Sequence, residues 1–127
     1  MYDIYYAHHQ WKYGTKVEEY ELDLIKRYFP KATIFNPSTD LVTPKEMGEE
    51  AIMMECLAVV NNSDILVFSS MDGVVGTGVF HEVREARKAG KLVFYIFHGK
   101  LQTDFRLDPI FDKSIRTDRT YAHAVMN

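Results

Sequence analysis

Two short stretches of the sequence decide the fold: ILVF at residues 65–68 and LVFYIF at residues 92–97. Both are continuously apolar and rich in β-branched and aromatic residues, which is typical of strands buried on both faces of a parallel sheet. Two further runs, IYYA at residues 4–7 and ATIF at residues 32–35, have the same character. The four runs together predict four strands of one sheet.

Helical patterns separate these four runs. The first helix is predicted to follow Thr15 as its N-cap, with Glu18 as the capping-box partner. The second is predicted to have Pro44 as its first residue, and the third to follow the glycine-rich segment 73–78 and to end at Gly90. The apolar stripe predicted for the second helix consists of Met47, Ala51, Met54 and Ala58.

The alternation of strands and helices predicts the fold class. It indicates an α/β three-layer sandwich with a four- to five-stranded parallel sheet, flavodoxin-like and doubly wound. Residues 1–127 are expected to form a single domain. The tail from residue 101 has weak periodicity, and SIRT at residues 114–117 would add a short strand at the edge of the sheet.

Composition excludes several classes of protein. A formal charge of −3 argues against sequence-independent binding of duplex nucleic acid, because such binding requires a basic face. The single cysteine excludes an internal disulfide and fits a reducing compartment. With neither a signal-peptide pattern nor an apolar run of about 20 residues, the chain is expected to be cytoplasmic and not bound to a membrane.

Candidate ligand-binding residues follow the predicted strands. Ligands of open parallel α/β sheets bind beyond the C-terminal ends of the strands, near the switch in strand order. The segment before the third helix would present N–H groups and a helix dipole to an anion, with Thr77 and Lys12 on a phosphate, although an ordinary turn explains it as well. The candidates are His8, His9, Asn36, Ser69, Gly73, Gly76, Thr77 and Gly78.

Two carboxylates near these residues have two interpretations each. Glu82 lies one turn into the third helix, where it either benefits from the helix dipole or serves as a nucleophile or base over the crevice. Asp72 is either a catalytic acid or the first residue of an Asp-Gly turn. Cys56 is expected to pack rather than react, and no metal or other cofactor is expected, since no cluster of ligating residues is complete.

Several segments resemble those of a known family. IYYA at 4–7, NSDILVF at 62–68, GTGVFHEV at 76–83 and GKLV at 90–93 resemble, in this order and spacing, the nucleoside 2-deoxyribosyltransferases. The likeness covers most of residues 2–97 and extends to the deoxynucleoside monophosphate N-glycosidases of the same superfamily. Such a relationship implies a small parallel α/β sandwich without a cofactor.

The resemblance also implies a reaction and roles for residues. The reaction is N-glycosidic cleavage or base exchange on a (deoxy)nucleoside or its 5′-monophosphate, by transfer or hydrolysis. Glu82 would attack C1′, Tyr5 would hold that glutamate, and Asp72 would be the acid for the departing base. Family members commonly carry an aspartate where this chain has Cys56, so either the neighbouring Glu55 acts as the assisting acid or that acid is missing.

Two alternatives to catalysis remain open. A nucleotide-binding or sensing module of the same fold would bind a nucleotide without turning it over. An interaction protein would use residues 104–127 to pair with another subunit. The resemblance implies a homodimer or higher homo-oligomer in which a neighbouring chain completes the pocket, so association and catalysis are compatible.

Overall fold

A computed structural model describes residues 1–110 and 121–127 of the chain. Its strands are β1 (Asp3–Ala7), β2 (Thr33–Phe35), β3 (Ile65–Phe68), β4 (Val74–Val75), β5 (Leu92–Phe97), β6 (Lys100–Gln102), β7 (Phe105–Ile110) and β8 (Tyr121–Met126). Its helices are α1 (Lys16–Tyr28), α2 (Pro37–Asp40), α3 (Glu49–Asn62) and α4 (Thr77–Lys88). Single 3-10 turns lie at Gln10–Lys12 and Lys45–Met47.

The main sheet has the order β2-β1-β3-β5-β6, and its first four strands are parallel. These are the four strands that the sequence predicts. The expectation of an all-parallel sheet is wrong at the edge, because β6 runs antiparallel to β5. His98 and Gly99 join the two strands with φ angles of 50° and 72°. Positive φ at both positions is typical of the tightest hairpin turn, which can connect only antiparallel strands.

Side chains alternate between the two faces of this sheet. Ile4, Tyr6 and Val67 pack with Ile25 of α1 on one face. Tyr5, Leu66 and Tyr95 face the opposite side, where residues of α3 and α4 complete the larger core cluster. Helices therefore cover both faces of the sheet, an arrangement compatible with a three-layer α/β fold.

The tail forms a second sheet that sequence patterns did not predict. This antiparallel sheet has the order β4-β8-β7, and Phe105 and Ala122 bury their side chains in the larger core cluster. Residues 114–117, proposed above as an edge strand, lie outside the described part of the chain. Of the strands in this second sheet, β4 has only two residues and pairs with the distant Ala122 and His123, a pairing that local periodicity does not reveal.

The second predicted helix begins later than expected and faces differently. Gly48, with a φ of 90°, separates the 3-10 turn after Pro44 from α3. Met47 and Met54, predicted to face the core, are 66% and 69% exposed, while Cys56 is buried. Apolar residues lie all around α3, so helical spacing by itself did not identify the buried face. Among the described residues, no helix is long and apolar enough to cross a membrane.

The caps of the other helices largely follow the prediction. The Thr15 hydroxyl accepts the Glu18 N–H at 3.3 Å, as expected for an N-cap. The Glu18 carboxylate differs from the expected capping box, because it accepts the Gly14 N–H at 3.2 Å instead of the N–H of Thr15. Gly90 follows α4 with a φ of 74°, as a C-terminal glycine does.

Candidate functional site

The centre of the candidate site is the Glu82 carboxylate. Glu82 lies in the second turn of α4, and its side chain points toward the sheet, leaving the residue only 6% exposed. Tyr5 of β1 lies on the same face of the sheet and donates its hydroxyl hydrogen to Oε2 of Glu82. The structure therefore brings together the glutamate and the first-strand tyrosine that the resemblance pairs.

Cys56 of α3 is the third member of the cluster formed by Tyr5 and Glu82. Its thiol interacts with both the Tyr5 hydroxyl and the Glu82 carboxylate. Burial raises the pKa of Glu82 from 4.5 to about 7, although the hydrogen bonds from Tyr5 and Cys56 oppose the rise. Burial also raises the pKa of the Cys56 thiol to about 11. Near neutral pH the site thus holds a carboxyl group that is partly ionised and a thiol that stays protonated.

His9 borders the start of α4. A Cβ added to Gly76 would lie 3.4 Å from Cδ2 of His9 and 3.8 Å from its Nε2, so glycine allows the ring to approach closely. Nδ1 of His9 accepts the Trp11 N–H at 3.0 Å, and burial lowers the pKa of His9. The neutral ring therefore carries its proton on Nε2, on the edge that approaches Gly76.

The start of α4 lies directly above Glu82. Gly76 is the N-cap and has no side chain to satisfy the first N–H groups, which carry the positive end of the helix dipole. Gly78 lies one turn before Glu82 on the same helix face, and its nearest neighbour is the Met53 methyl group, 3.4 Å from a Cβ built there. The end of α4 that attracts anions is therefore within two turns of Glu82 along the helix.

Tyr13 also lies within the electrostatic influence of Glu82. Burial raises the pKa of Tyr13, and the charge of Glu82 raises it further. Sequence reasoning did not assign Tyr13 or Met53 to the site, although Tyr13 follows the first strand as expected of a binding residue. For Cys56, the expectation was packing only, and the structure adds its contacts with Tyr5 and Glu82.

Asp72 and Gly73 form a turn rather than part of the Glu82 group. Met71 and Val74 exchange backbone hydrogen bonds of 2.8 and 3.0 Å across them. Asp72 is exposed, and its φ of 51° together with 81° at Gly73 defines a tight hairpin turn. Of the two interpretations of Asp72, the structure bears out the Asp-Gly turn.

The structure places the Glu55 carboxylate against a loop, not against Glu82. Its two oxygens accept the N–H groups of Val42 and Thr43 at distances of 2.7–3.2 Å. The pKa of Glu55 is lowered, chiefly by a hydrogen bond from the Thr43 side chain and then by the N–H groups of Val42 and Thr43. Glu55 therefore anchors the segment before α3 and is not directed at Glu82 as an assisting acid would be.

Three other candidates are engaged elsewhere. Asn36 caps α2, since its Oδ1 accepts the Ser38 N–H at 3.0 Å. His8 and Ser69 are buried on the α1 face of the sheet, opposite to Tyr5, in hydrogen bonds described below. Lys12, expected to contact a phosphate, is buried there as well. Consecutive strand residues point to opposite faces, which is why His8 and His9 separate.

In the part of the chain that the structure describes, no three His, Cys, Asp or Glu side chains are grouped closely enough to hold a metal ion. The residues that make up the candidate site are Tyr5, His9, Cys56, Gly76, Thr77, Gly78 and Glu82, with Tyr13 and Met53 beside them. No protein-family model matches the chain, and a search of curated proteins gives no significant match.

Proposed function

We propose that this chain cleaves the N-glycosidic bond of a (deoxy)nucleoside or its 5′-monophosphate, with Glu82 as the nucleophile. The observation that carries the proposal is the buried Glu82 carboxylate, held by the Tyr5 hydroxyl in the second turn of α4. A carboxylate in that setting matches the nucleophile of glycoside-cleaving enzymes, whose transition state resembles an oxocarbenium ion. The resemblance to nucleoside 2-deoxyribosyltransferases supports the same assignment.

The proposed reaction has two displacements at C1′. Tyr5 occupies Oε2 of Glu82, so Oε1 attacks C1′ while the bond to the base breaks and its electron pair leaves with the base. The base takes a proton from solvent, and a glycosyl ester of Glu82 remains. Water or a second base then attacks C1′ and releases the carboxylate, which retains the anomeric configuration. Only ionised Glu82 attacks, so the rate is expected to rise with pH through about 7.

The start of α4 supports a phosphorylated substrate. Its first N–H groups and the Nε2–H of His9 are donors near Gly76, which lies six positions before Glu82 on the same helix. A 5′-phosphate bound there would direct C1′ toward the carboxylate. The prediction is a lower KM for a 5′-monophosphate than for the matching nucleoside.

The test is release of free base from a panel of deoxynucleosides and their 5′-monophosphates, followed by liquid chromatography. Glu82→Gln is expected to abolish release, because the amide cannot attack C1′. Glu85→Gln, one turn later on α4 and outside the site, is the matched control and should keep wild-type activity. Base release by Glu82→Gln at the wild-type rate would remove Glu82 from the mechanism.

The second candidate is a nucleotide-binding module without turnover. Cys56 stands where the family commonly has an aspartate, the Glu55 carboxylate holds a loop, and Asp72 is an exposed turn residue. Thermal stabilisation by a nucleotide with no product formed would support this alternative.

The flavodoxin-like classification, the cytoplasmic location and the homo-oligomer remain proposals. Light scattering tests the homo-oligomer.

A further inference from the structure

A buried network of polar groups lies on the α1 face of the sheet and takes no part in the proposed chemistry. Its centre is the Lys12 ammonium, which donates to Oε2 of Glu21 at 3.1 Å, to the Ser69 hydroxyl at 2.8 Å and to the Ser70 carbonyl at 2.9 Å. An ammonium has three N–H donors, so these partners saturate it. Lys12 thereby connects the β1–α1 loop to α1 and to the end of β3.

The acceptor side of this network is equally complete. Oε1 of Glu21 accepts the Tyr6 hydroxyl at 2.5 Å and the Ser69 hydroxyl at 2.7 Å. Lys12 and Glu21 are 7% and 6% exposed, so water does not replace these contacts. We call Tyr6, Lys12, Glu21 and Ser69 the α1 network.

A second buried pair holds the same loop at both of its ends. Nε2 of His8 lies 2.6 Å from Oε2 of Glu18, and the His8 ring stacks on Tyr6 with the ring centroids 3.7 Å apart. The other oxygen of Glu18 accepts the Gly14 N–H at 3.2 Å. Two consecutive turns of α1 therefore hold the loop between residues 8 and 14.

The opposite side of this loop borders the candidate site. His9, three residues before Lys12 in this loop, lies beside Gly76 at the start of α4. A buried ion pair contributes little net stability, because desolvation offsets most of the attraction between the charges. Fixing the geometry of the loop is therefore a better account of a saturated Lys12 than stabilising the fold as a whole.

We propose that Lys12 is a positioning residue that, through the α1 network, holds the β1–α1 loop with His9 against the start of α4. Removing the ammonium alone would strand a buried carboxylate and risks unfolding the protein. Lys12→Met combined with Glu21→Gln avoids this, because the amide oxygen of glutamine still accepts from Tyr6 and Ser69. Lys26→Met, on the exposed surface of α1, is the matched control.

The test measures the loop directly and without substrate. In the double variant, amide hydrogen exchange in residues 9–15 is expected to accelerate about tenfold, since hydrogen bonds to charged groups typically contribute that factor or more. The fluorescence anisotropy of Trp11, the only tryptophan, should fall as the loop gains motion. Amide exchange within α4 of the double variant should stay at the wild-type rate. The Lys26→Met protein should match wild type in both exchange and anisotropy.

Either of two results would overturn the proposal. One is that, in the double variant, residues 9–15 exchange their amide hydrogens at the wild-type rate and Trp11 keeps its wild-type anisotropy. The other is global unfolding of the double variant, which would assign the network to the stability of the whole fold. Because no substrate is needed, the test stands even where Glu82 proves inactive. If the wild-type protein releases base, the double substitution should increase KM by a larger factor than it decreases kcat.

Discussion

Replacing Glu82 with glutamine should remove the dependence of stability on pH that this residue imposes. Burial raises its pKa from 4.5 to about 7, so the folded protein binds its proton more tightly than the unfolded chain does. The stabilisation from this group is fully present below pH 4.5 and is lost as the pH rises through about 7. Glutamine keeps the shape of the side chain and cannot ionise.

The size of the effect follows from the pKa difference. One pKa unit corresponds to about 1.4 kcal/mol, so ionised Glu82 should destabilise the folded protein by roughly 3 kcal/mol at alkaline pH. Most of this change, about 2 to 3 kcal/mol, falls between roughly pH 5 and pH 8, because the two pKa values are 4.5 and about 7. Relative to wild type, Glu82→Gln should therefore gain about that much in unfolding free energy across the interval.

The assay is urea unfolding of wild type, Glu82→Gln and the Glu85→Gln control at several pH values. Taking the difference between proteins at each pH removes the contributions of all other titrating groups. Glu85→Gln should follow the wild-type curve across the interval. Parallel curves for Glu82→Gln and wild type would refute the reasoning, since they would mean that Glu82 ionises in the folded protein as it does in the unfolded chain.

Three further predictions test neighbouring features. Tyr5→Phe removes a hydrogen bond that lowers the pKa of Glu82, so the pH midpoint of base release should move upward; an unmoved midpoint would contradict the role of Tyr5. The Cys56 thiol, buried and with a pKa of about 11, should react with iodoacetamide much more slowly in native protein than in urea at pH 8, and equal rates would contradict its burial. Gly73→Ala should lower the unfolding free energy by about 1 kcal/mol, because a φ of 81° disfavours a Cβ, whereas Asp72→Asn should change it little; chemical denaturation of both variants compares them.

Local patterns were sufficient for the elements that form the parallel core. The run at residues 65–68 is apolar at every position, and both faces of β3 are in fact buried. The Thr15 cap and the Gly90 stop depend on neighbours within a few residues, which sequence shows directly. Patterns failed where pairing is distant, as in β4, whose two residues pair with Ala122 and His123.

The candidate site divides in the same way. The place of Glu82 on α4 follows from helical spacing, and the resemblance supplied Tyr5 as its partner. Sequence offered no means to know that Glu55 holds a loop or that His8 pairs with Glu18 of α1. Each of these outcomes depends on side-chain direction and on partners from other elements.

The amino-acid sequence by itself determined a parallel α/β core and an acidic residue near the start of α4, because apolar runs, caps and glycines act through neighbours along the chain. Only the tertiary structure decided the chemistry of that residue. Tyr5 and Glu82 are 77 positions apart, and their contact exists because β1 and α4 pack together. The same packing excludes water, and this exclusion moves the pKa of a carboxyl group into the neutral range.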